Sequence, residues 1–435
     1  MKIIKKLFTV LFVLICGSGM AVANDTAGQL LPTGEIRFEK QAGIILKHEA
    51  LLLSDTVTVD YLFENTTDKP VETKVFFPVP SVGPLSAYYE IPHDFKFRVW
   101  VDGVEIPASL SHRITLNGTD VTKYFNMIGV DSYTKSVVMD MGGNGLKMEQ
   151  IAEPLRTLPE AEQKMLEETG MIARGCMADS ESECPNNPDL YHLAYADYIQ
   201  EVMYYWTQVF PPHKTLHVRH EYKPSFLENS VGAPHHNVQE ATGWTYENPD
   251  GFWKDASYII TTANNWKTPI GRFDMLVLGE KRAAVSSYKN DEVSDTRISK
   301  NNYLIEMRRD FVPSGEILFE LEYALKNTGA AGTGNTVENS RRADKGSENT
   351  VLPRLFSVDG PAVVRDAPEG RKISSMKNGS YVWAYPSDNK DWFAVLLDES
   401  KKAYTHRNNL IPFGIKSGSG RAENIPDKKD KPNKK

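Results

Sequence analysis

The chain has 435 residues, more than one ordinary domain needs and enough for a large core plus a small module. A net charge of -7 at pH 7 sets up no basic field, so nucleic acid is not an expected partner. Charged residues are 25% and the hydrophobic set 40%, an ordinary globular balance, and a mean hydropathy of -0.41 excludes a polytopic membrane protein.

Lys2, Lys5 and Lys6 precede an apolar run from Leu7 to Ile15, and Ala21-Val22-Ala23 forms an A-x-A cleavage site. That pattern reads as a signal peptide over residues 1–23, with the mature chain beginning near Asn24 and destined for the periplasm or the outside. The apolar run is too short to span a bilayer, so no transmembrane anchor is expected in the mature chain. Cys16 raises lipidation, against which stands the bulk of Ile15 before it. Loss of Cys16 leaves Cys176 and Cys184, a pair expected to form a disulfide in an oxidising compartment. The short loop so closed would add roughly 2–3 kcal/mol. Two free thiols are the alternative; two cysteines alone are too few for structural zinc.

Residues 27 to about 140 read as strands: Glu35 to Phe38, Ile44 to Leu46, then Val57 to Phe63 and Val71 to Pro80. The last two alternate apolar and polar residues around a turn rich in Asn, Asp and Pro, and predict a hairpin with one buried face. Phe95 to Val101 and Val104 to Ala108 flank Asp102-Gly103, a strong two-residue hairpin signal. Asn65-Thr-Thr and Asn117-Gly-Thr match the glycosylation sequon only by turn composition.

From about Ile151 to Phe210 the period changes and predicts a helical insertion. Pro159 suits a first helical turn, with Glu160, Glu162, Leu166 and Glu167 following. Tyr191, Tyr195, Tyr198, Val202, Tyr205 and Val209 then recur at three- and four-residue spacing, predicting an amphipathic helix ended by Pro211-Pro212. Its aromatic stripe would line a ligand groove or pack on the sheet. Strands resume at Leu216 to Tyr222, Tyr258 to Thr262, Phe273 to Val277 and Ile317 to Leu321.

Residues 327–350 are rich in Gly, Asn and Ser and read as a flexible linker, with independent domains on either side. Residues 351–414 carry five or so short strands, enough for a small barrel. Residues 415–435 are polar and Lys-rich, a solvated tail or a weak contact for anionic envelope polymers.

Three blocks carry a resemblance to an exported bacterial family, the domain-of-unknown-function family 4424. They are Asn24 to Pro80; Tyr204 to Pro211 with His220 to Pro224; and Tyr258 to Thr262 with Asn265, Trp266, Pro269, Ile270 and Phe273. After Pro224 that family tends to a Gly-rich run, where this chain has Ser225 to Glu228. The resemblance implies an exported soluble protein and brings no catalytic residues with it. The small unit resembles a bacterial SH3-like domain through Val364, Arg365, Gly379, Val382, Trp392, Val395 and Tyr404 to Leu410. Similar domains bind wall peptides or glycan, or act as adaptors. The expected fold is therefore mainly β: a large β-sandwich-like domain with a helical insertion, then an SH3-like β-barrel.

No G-x-S-x-G, H-E-x-x-H, Walker or dinucleotide glycine pattern occurs, so the sequence points to no catalytic residues, no metal and no cofactor. His213, His217 and His220 would share a helix face, but they lie in a strand pattern that sends His217 and His220 to opposite sides. His235-His236 reads as a loop pair. Tyr381, Trp383 and Tyr385 alternate with Val382 and Ala384, and with Trp392 and Tyr404 they make the candidate binding face. Three roles are open for those rings: a platform for sugar or peptide, a docking face for the large domain, or a second layer of core. The functional expectation is an exported, non-enzymatic envelope binding or adaptor protein whose small domain engages peptidoglycan or an envelope protein. A hydrolase of envelope polymer, targeted by that domain, is the alternative.

Overall fold

The computed structural model describes residues 25–30, 36–82, 96–117, 119–127, 157–174, 191–193, 199–224, 226, 233–245, 251–289, 292–324, 351–397 and 402–414. The expected signal peptide, the Cys176/Cys184 pair, the expected linker and the Lys-rich tail lie outside these residues. The described chain is mainly β. Its centre is a seven-stranded sheet in the order Tyr303–Phe311, Ile270–Leu278, Ile44–Leu53, Val57–Asn65, Thr215–Tyr222, Arg98–Val101, Val104–Ile106. Every pairing is antiparallel except that Ile270–Leu278 runs parallel to Ile44–Leu53.

Both faces of this sheet are covered. On the inner face Leu51, Val59, Tyr61, Phe63 and Met275 pack against Val75, Phe77 and Trp206 of a six-stranded sheet and Tyr258 and Phe319 of a four-stranded one. On the outer face Ala50, Leu52 and Leu276 pack against Leu355, Trp383, Leu396 and Phe413 of the C-terminal unit. Residues 50 to 53 are accordingly all 1% exposed or less, an unbroken apolar run that only a sheet buried on both sides needs.

The predicted hairpin is a corner instead. Val57–Asn65 pairs with Ile44–Leu53 and Thr215–Tyr222, whereas Val71–Val82 pairs with Thr26–Leu30 and Ile199–Phe210 in the six-stranded sheet. Alternation correctly marks each strand but says nothing about whether the two are hydrogen-bonded to each other. Asn65 turns the corner. Its fully buried amide donates to the carbonyls of Lys69 and Phe210, both at 2.8 Å, and its Oδ1 accepts from the Thr67 amide at 2.9 Å and hydroxyl at 2.8 Å.

The predicted aromatic helix is likewise overturned. Tyr191–Leu193 and Ile199–Phe210 are strands, and Tyr195 and Tyr198 lie outside the described residues. Val202, Tyr204, Trp206, Gln208 and Phe210 are buried at period two, with Thr207 and Val209 exposed between them. Ile199–Phe210 is clamped between Val71–Val82 and Ser109–Leu116, so ladder pairing overrides a three–four spacing made of residues that favour strands anyway. The other half of the insertion is helical as expected, over Glu160–Thr169. Pro159 stands at its N-cap, and Gly170, at φ 80°, sends its N–H back to the Leu166 and Glu167 carbonyls. The Asp102-Gly103 turn forms with φ of 47° and 81°, as a type I′ hairpin demands. Tyr258 ends the strand Gly251–Tyr258, and Thr261–Asn265 is a 3₁₀ turn rather than more strand.

The C-terminal unit is one seven-stranded sheet from Arg354–Val358 to Leu410–Pro412, with a core of Phe356, Val364, Val382, Ala384, Phe393, Val395 and Leu410. No described pairing joins its edge strands, Lys372–Met376 and Leu410–Pro412, so closure into a barrel is not seen. Nor are the two units independent: Trp383 and Phe413 share a core with Ala50 and Leu276.

The corner yields a direct prediction. Asn65→Ala removes the bonds to the Lys69 and Phe210 carbonyls and from the Thr67 amide and hydroxyl, and is expected to lower unfolding free energy by about 2–4 kcal/mol. Urea unfolding measures this; an unchanged midpoint contradicts the role given to Asn65.

Candidate functional site

Period two places polar residues on the same outer face as Ala50, Leu52 and Leu276. His48 precedes Ala50 by two, Asp274 precedes Leu276 by two, and Asp60 is cross-strand partner to both Ala50 and Arg219. The C-terminal unit covers the apolar part of that face and leaves the polar part as the floor of a cleft of about 1340 Å³. Arg98, Trp100, Arg309, Arg354 and Tyr381 are among its walls.

Two similar clusters underlie the floor, reaching the cleft through Asp60, His217 and Arg219 in one and His48 and Arg272 in the other. In the first, Asp60 accepts from His217 Nε2 at 2.8 Å and from Arg219 Nη1 at 3.0 Å. Burial pushes the Asp60 carboxyl up, but Arg219 and His217, with Arg354 behind them, outweigh it and hold the group at about 2. In the second, Asp274 accepts from His48 Nε2 at 2.6 Å and from Arg272 Nη2 at 2.8 Å. Burial again opposes ionisation of Asp274, and the bonds from His48 and Arg272 keep its pKa below the usual range. Burial lowers the His48 pKa despite Asp274, so the ring donates to its carboxylate as a neutral imidazole.

The C-terminal unit clasps these groups. Tyr381 and Phe413 each meet the His48 ring edge-on at 4.6 Å, and the Arg272 guanidinium lies over Tyr381 at 4.6 Å. Phe413 also meets His217 at 5.8 Å. Gly414, at φ +82°, passes so close that a Cβ there would sit 2.4 Å from His217 Cγ. Arg354 is different from the other arginines. Its guanidinium is half-buried and makes no hydrogen bond or ion pair among the described residues; burial and neighbouring Arg219 lower its pKa against the opposing attraction of Asp60 and Glu221.

Strand register brings the predicted aromatic face together on one side of the C-terminal sheet. Trp383 is opposite Leu396, Tyr385 opposite Ala394, Ala394 opposite Tyr404, and Trp392 opposite His406. It is not a free platform. Trp383 is 4% exposed in the core shared with the large unit, where Tyr381 and Tyr385 also pack. Trp392 is 8% exposed, under the Arg365 guanidinium at 6.0 Å. Only Tyr381 reaches the cleft. His213 is exposed against Asp68 at 2.8 Å, His217 is in the cleft, and His220 points into the core. No group of three or more His, Cys, Asp or Glu able to hold a metal occurs among the described residues. Sequence reading passed over Asp60, Asp274, Arg219 and Arg354. The signal was there for the first two: a lone aspartate inside an apolar strand, between Val59 and Tyr61 or between Phe273 and Met275, is a buried charge that must find cations.

A family model for a "Domain of unknown function (DUF4424)" matches residues 23–250 and 245–318. The chain belongs to this family. The DUF4424 match covers all the strands of the central sheet but stops before the C-terminal unit, so Arg354, Tyr381 and Phe413 form a wall beyond it. No curated protein matches the chain. A solved structure from Legionella pneumophila, described as a "putative nutrient binding protein", is similar at 12% identity with a TM-score of 0.31, over 69% of this chain and 70% of that one. No helix among the described residues is long and apolar enough to cross a membrane.

Asp60 gives the site a pH signature. An unfolded Asp titrates near about 3.9, so its folded-state stabilisation is full above about pH 4 and is lost as pH falls through about 2. The stability gap between wild type and Asp60→Asn is expected to shrink by roughly 2 kcal/mol from pH 5 to pH 2. Denaturation across that range measures it; a gap that stays constant removes Asp60 from the account.

Proposed function

We propose that this DUF4424 protein is an exported, non-enzymatic envelope binding protein that holds an anionic ligand in the cleft. The C-terminal unit, read as an SH3-like module, acts as the lid of that cleft more than as a separate platform. The observation that carries this reading is Arg354: a half-buried guanidinium with no hydrogen-bonding partner among the described residues, set beside Arg219. A carboxylate or phosphate between them would relieve their repulsion and accept bidentate hydrogen bonds. Trp100 and Tyr381 supply flat apolar walls for the remainder of the ligand. Peptidoglycan peptides, which carry several carboxylates, fit both that chemistry and the secretory leader read from residues 1–23. The hydrolase alternative has two Asp–His pairs to lean on, but an arginine also holds each aspartate, and no hydroxyl or thiol is hydrogen-bonded to His48 or His217 among the described residues.

The test uses soluble wall peptides and the full mature chain, because deleting residues 351–414 would bare Ala50, Leu52 and Leu276. Calorimetric affinity is expected to fall about 10- to 100-fold in Arg354→Ala, the range for a charged hydrogen bond lost. Arg354→Lys should restore little, since a point charge cannot make the bidentate contact. Equal affinity in wild type and Arg354→Ala, or release of cleaved products from purified wall, would overturn the proposal.

A further inference from the structure

The cleft is longer than one acidic group needs. Its floor is drawn from six neighbouring strands of the central sheet, from Arg309 on Tyr303–Phe311 to Trp100 on Arg98–Val101. At ~4.8 Å per strand step that is a trough roughly 24 Å long. Its volume of about 1340 Å³ also exceeds the ~300–1,000 Å³ usual for a small-molecule pocket. Register fixes the order of side chains along the trough. Arg309 is opposite Arg272, Arg272 opposite His48, His48 opposite Leu62, and Leu62 opposite His217, in one row across the outer face. The adjoining row runs from Asp274 through Ala50, Asp60 and Arg219 to Trp100.

The two ends of the trough are built alike. At each, one aspartate holds a histidine and an arginine: Asp60 with His217 and Arg219, Asp274 with His48 and Arg272. At each, a further arginine joins the one already held, Arg354 beside Arg219 and Arg309 beside Arg272. Arg309 sits directly across the strand pair from Arg272, where like charges repel. It is exposed and makes no hydrogen bond or ion pair among the described residues. Its charge reaches the cleft: burial is the main cause of the lowered His48 pKa, and Arg272 and Arg309 add to it. The trough's other cations are held, Lys47 by Glu64 at 2.7 Å and Arg98 by Glu105 at 2.6 Å. The carboxylates that line the trough, Asp60, Asp102 and Glu221, are all toward the first end, so the second end faces solvent as a positive pole. Between the ends the lining is apolar, with Leu62 on the floor and Phe413 and Tyr381 above it.

Given the anion site at Arg354 proposed above, on which this rests, we propose that the cleft takes an elongated ligand with two acidic groups. One lies between Arg219 and Arg354, the other between Arg272 and Arg309, and a neutral stretch crosses Leu62 to join them. The strands of Arg219 and Arg272 are three steps apart in the sheet, roughly 14 Å at ~4.8 Å each. An extended chain covers that distance in about four residues at ~3.5 Å each. A monoanion would satisfy one end and leave the other pair of arginines repelling. A compact dianion would carry enough charge but could not reach both ends. Arg309 is then the residue that selects for the second acidic group, and so for a chain over a small acid.

The full mature chain is titrated calorimetrically, at physiological salt, with three synthetic probes. Succinyl-trialanine carries two carboxylates about 14 Å apart when extended. Its C-terminal amide keeps one of them, and acetyl-dialanyl-aspartate carries both on a single residue at the same net charge. Wild type is expected to bind succinyl-trialanine at least about ten-fold more tightly than either control, the gain from a second charged hydrogen bond. Arg309→Ala should bring the three affinities within about two-fold of one another. That side chain is exposed, so the fold does not depend on it. Equal binding of all three probes by wild type, or an advantage that survives Arg309→Ala, overturns the two-pole cleft. If Arg354→Ala still costs affinity in either of those cases, the single anion site stands without it. No binding of any probe overturns both.

Discussion

The structure depends on one constraint: the inner strands of its central sheet are buried on both faces. A sheet with one wet side can put its charges there and forget them. Over these strands neither side is free, so a polar residue that alternation sends to a face must find a partner within the protein, open onto the cleft, or carry the cost of burial. Where the C-terminal unit seals the outer face, the residues are Ala50, Leu52 and Leu276. Where it does not, they are Asp60 with His217 and Arg219, and Asp274 with His48 and Arg272, two tied clusters. The boundary between seal and cleft is thus written in the outer-facing residues of the same strands.

The two faces solve the charge problem in opposite ways. On the outer face each aspartate has both an arginine and a histidine, with open solvent nearby, and Asp60 stays ionised to about pH 2. On the inner face burial dominates, pushing Asp25 well up and His220 down to about 3, and among the described residues no arginine pairs with either. His217 and His220 are three residues apart on Thr215–Tyr222 and belong one to each regime. Chemistry that looks like a histidine cluster in the chain is separated by the thickness of a sheet.

The C-terminal unit earns its place through a face that is mostly hidden. Trp383 seals apolar surface, Tyr381 and Phe413 hold His48 and Arg272 in position, and Arg354 brings a positive charge to the cleft wall. These residues lie beyond the family match, which covers the central sheet and its aspartates.

Local features were legible in the chain because they are set by local chemistry. The Asp102-Gly103 turn, the Pro159 start of Glu160–Thr169, the alternating strands and the opposed His217 and His220 all follow from backbone geometry within a few residues. Partnership was not legible. The strands flanking Asn65 look like a hairpin whether they pair together or with others, and the spacing of Tyr205 and Val209 fits a helix until neighbouring strands claim the ladder. Asp60, Arg219 and Arg354 are far apart in sequence, and nothing within reach of any one of them names the other two. Sequence alone determined a mainly β chain with a leader pattern and several of its turns and strands. Only the tertiary structure decided which faces would be dry and which charges would meet, because burial and ion pairing are properties of what packs against a strand and not of the strand.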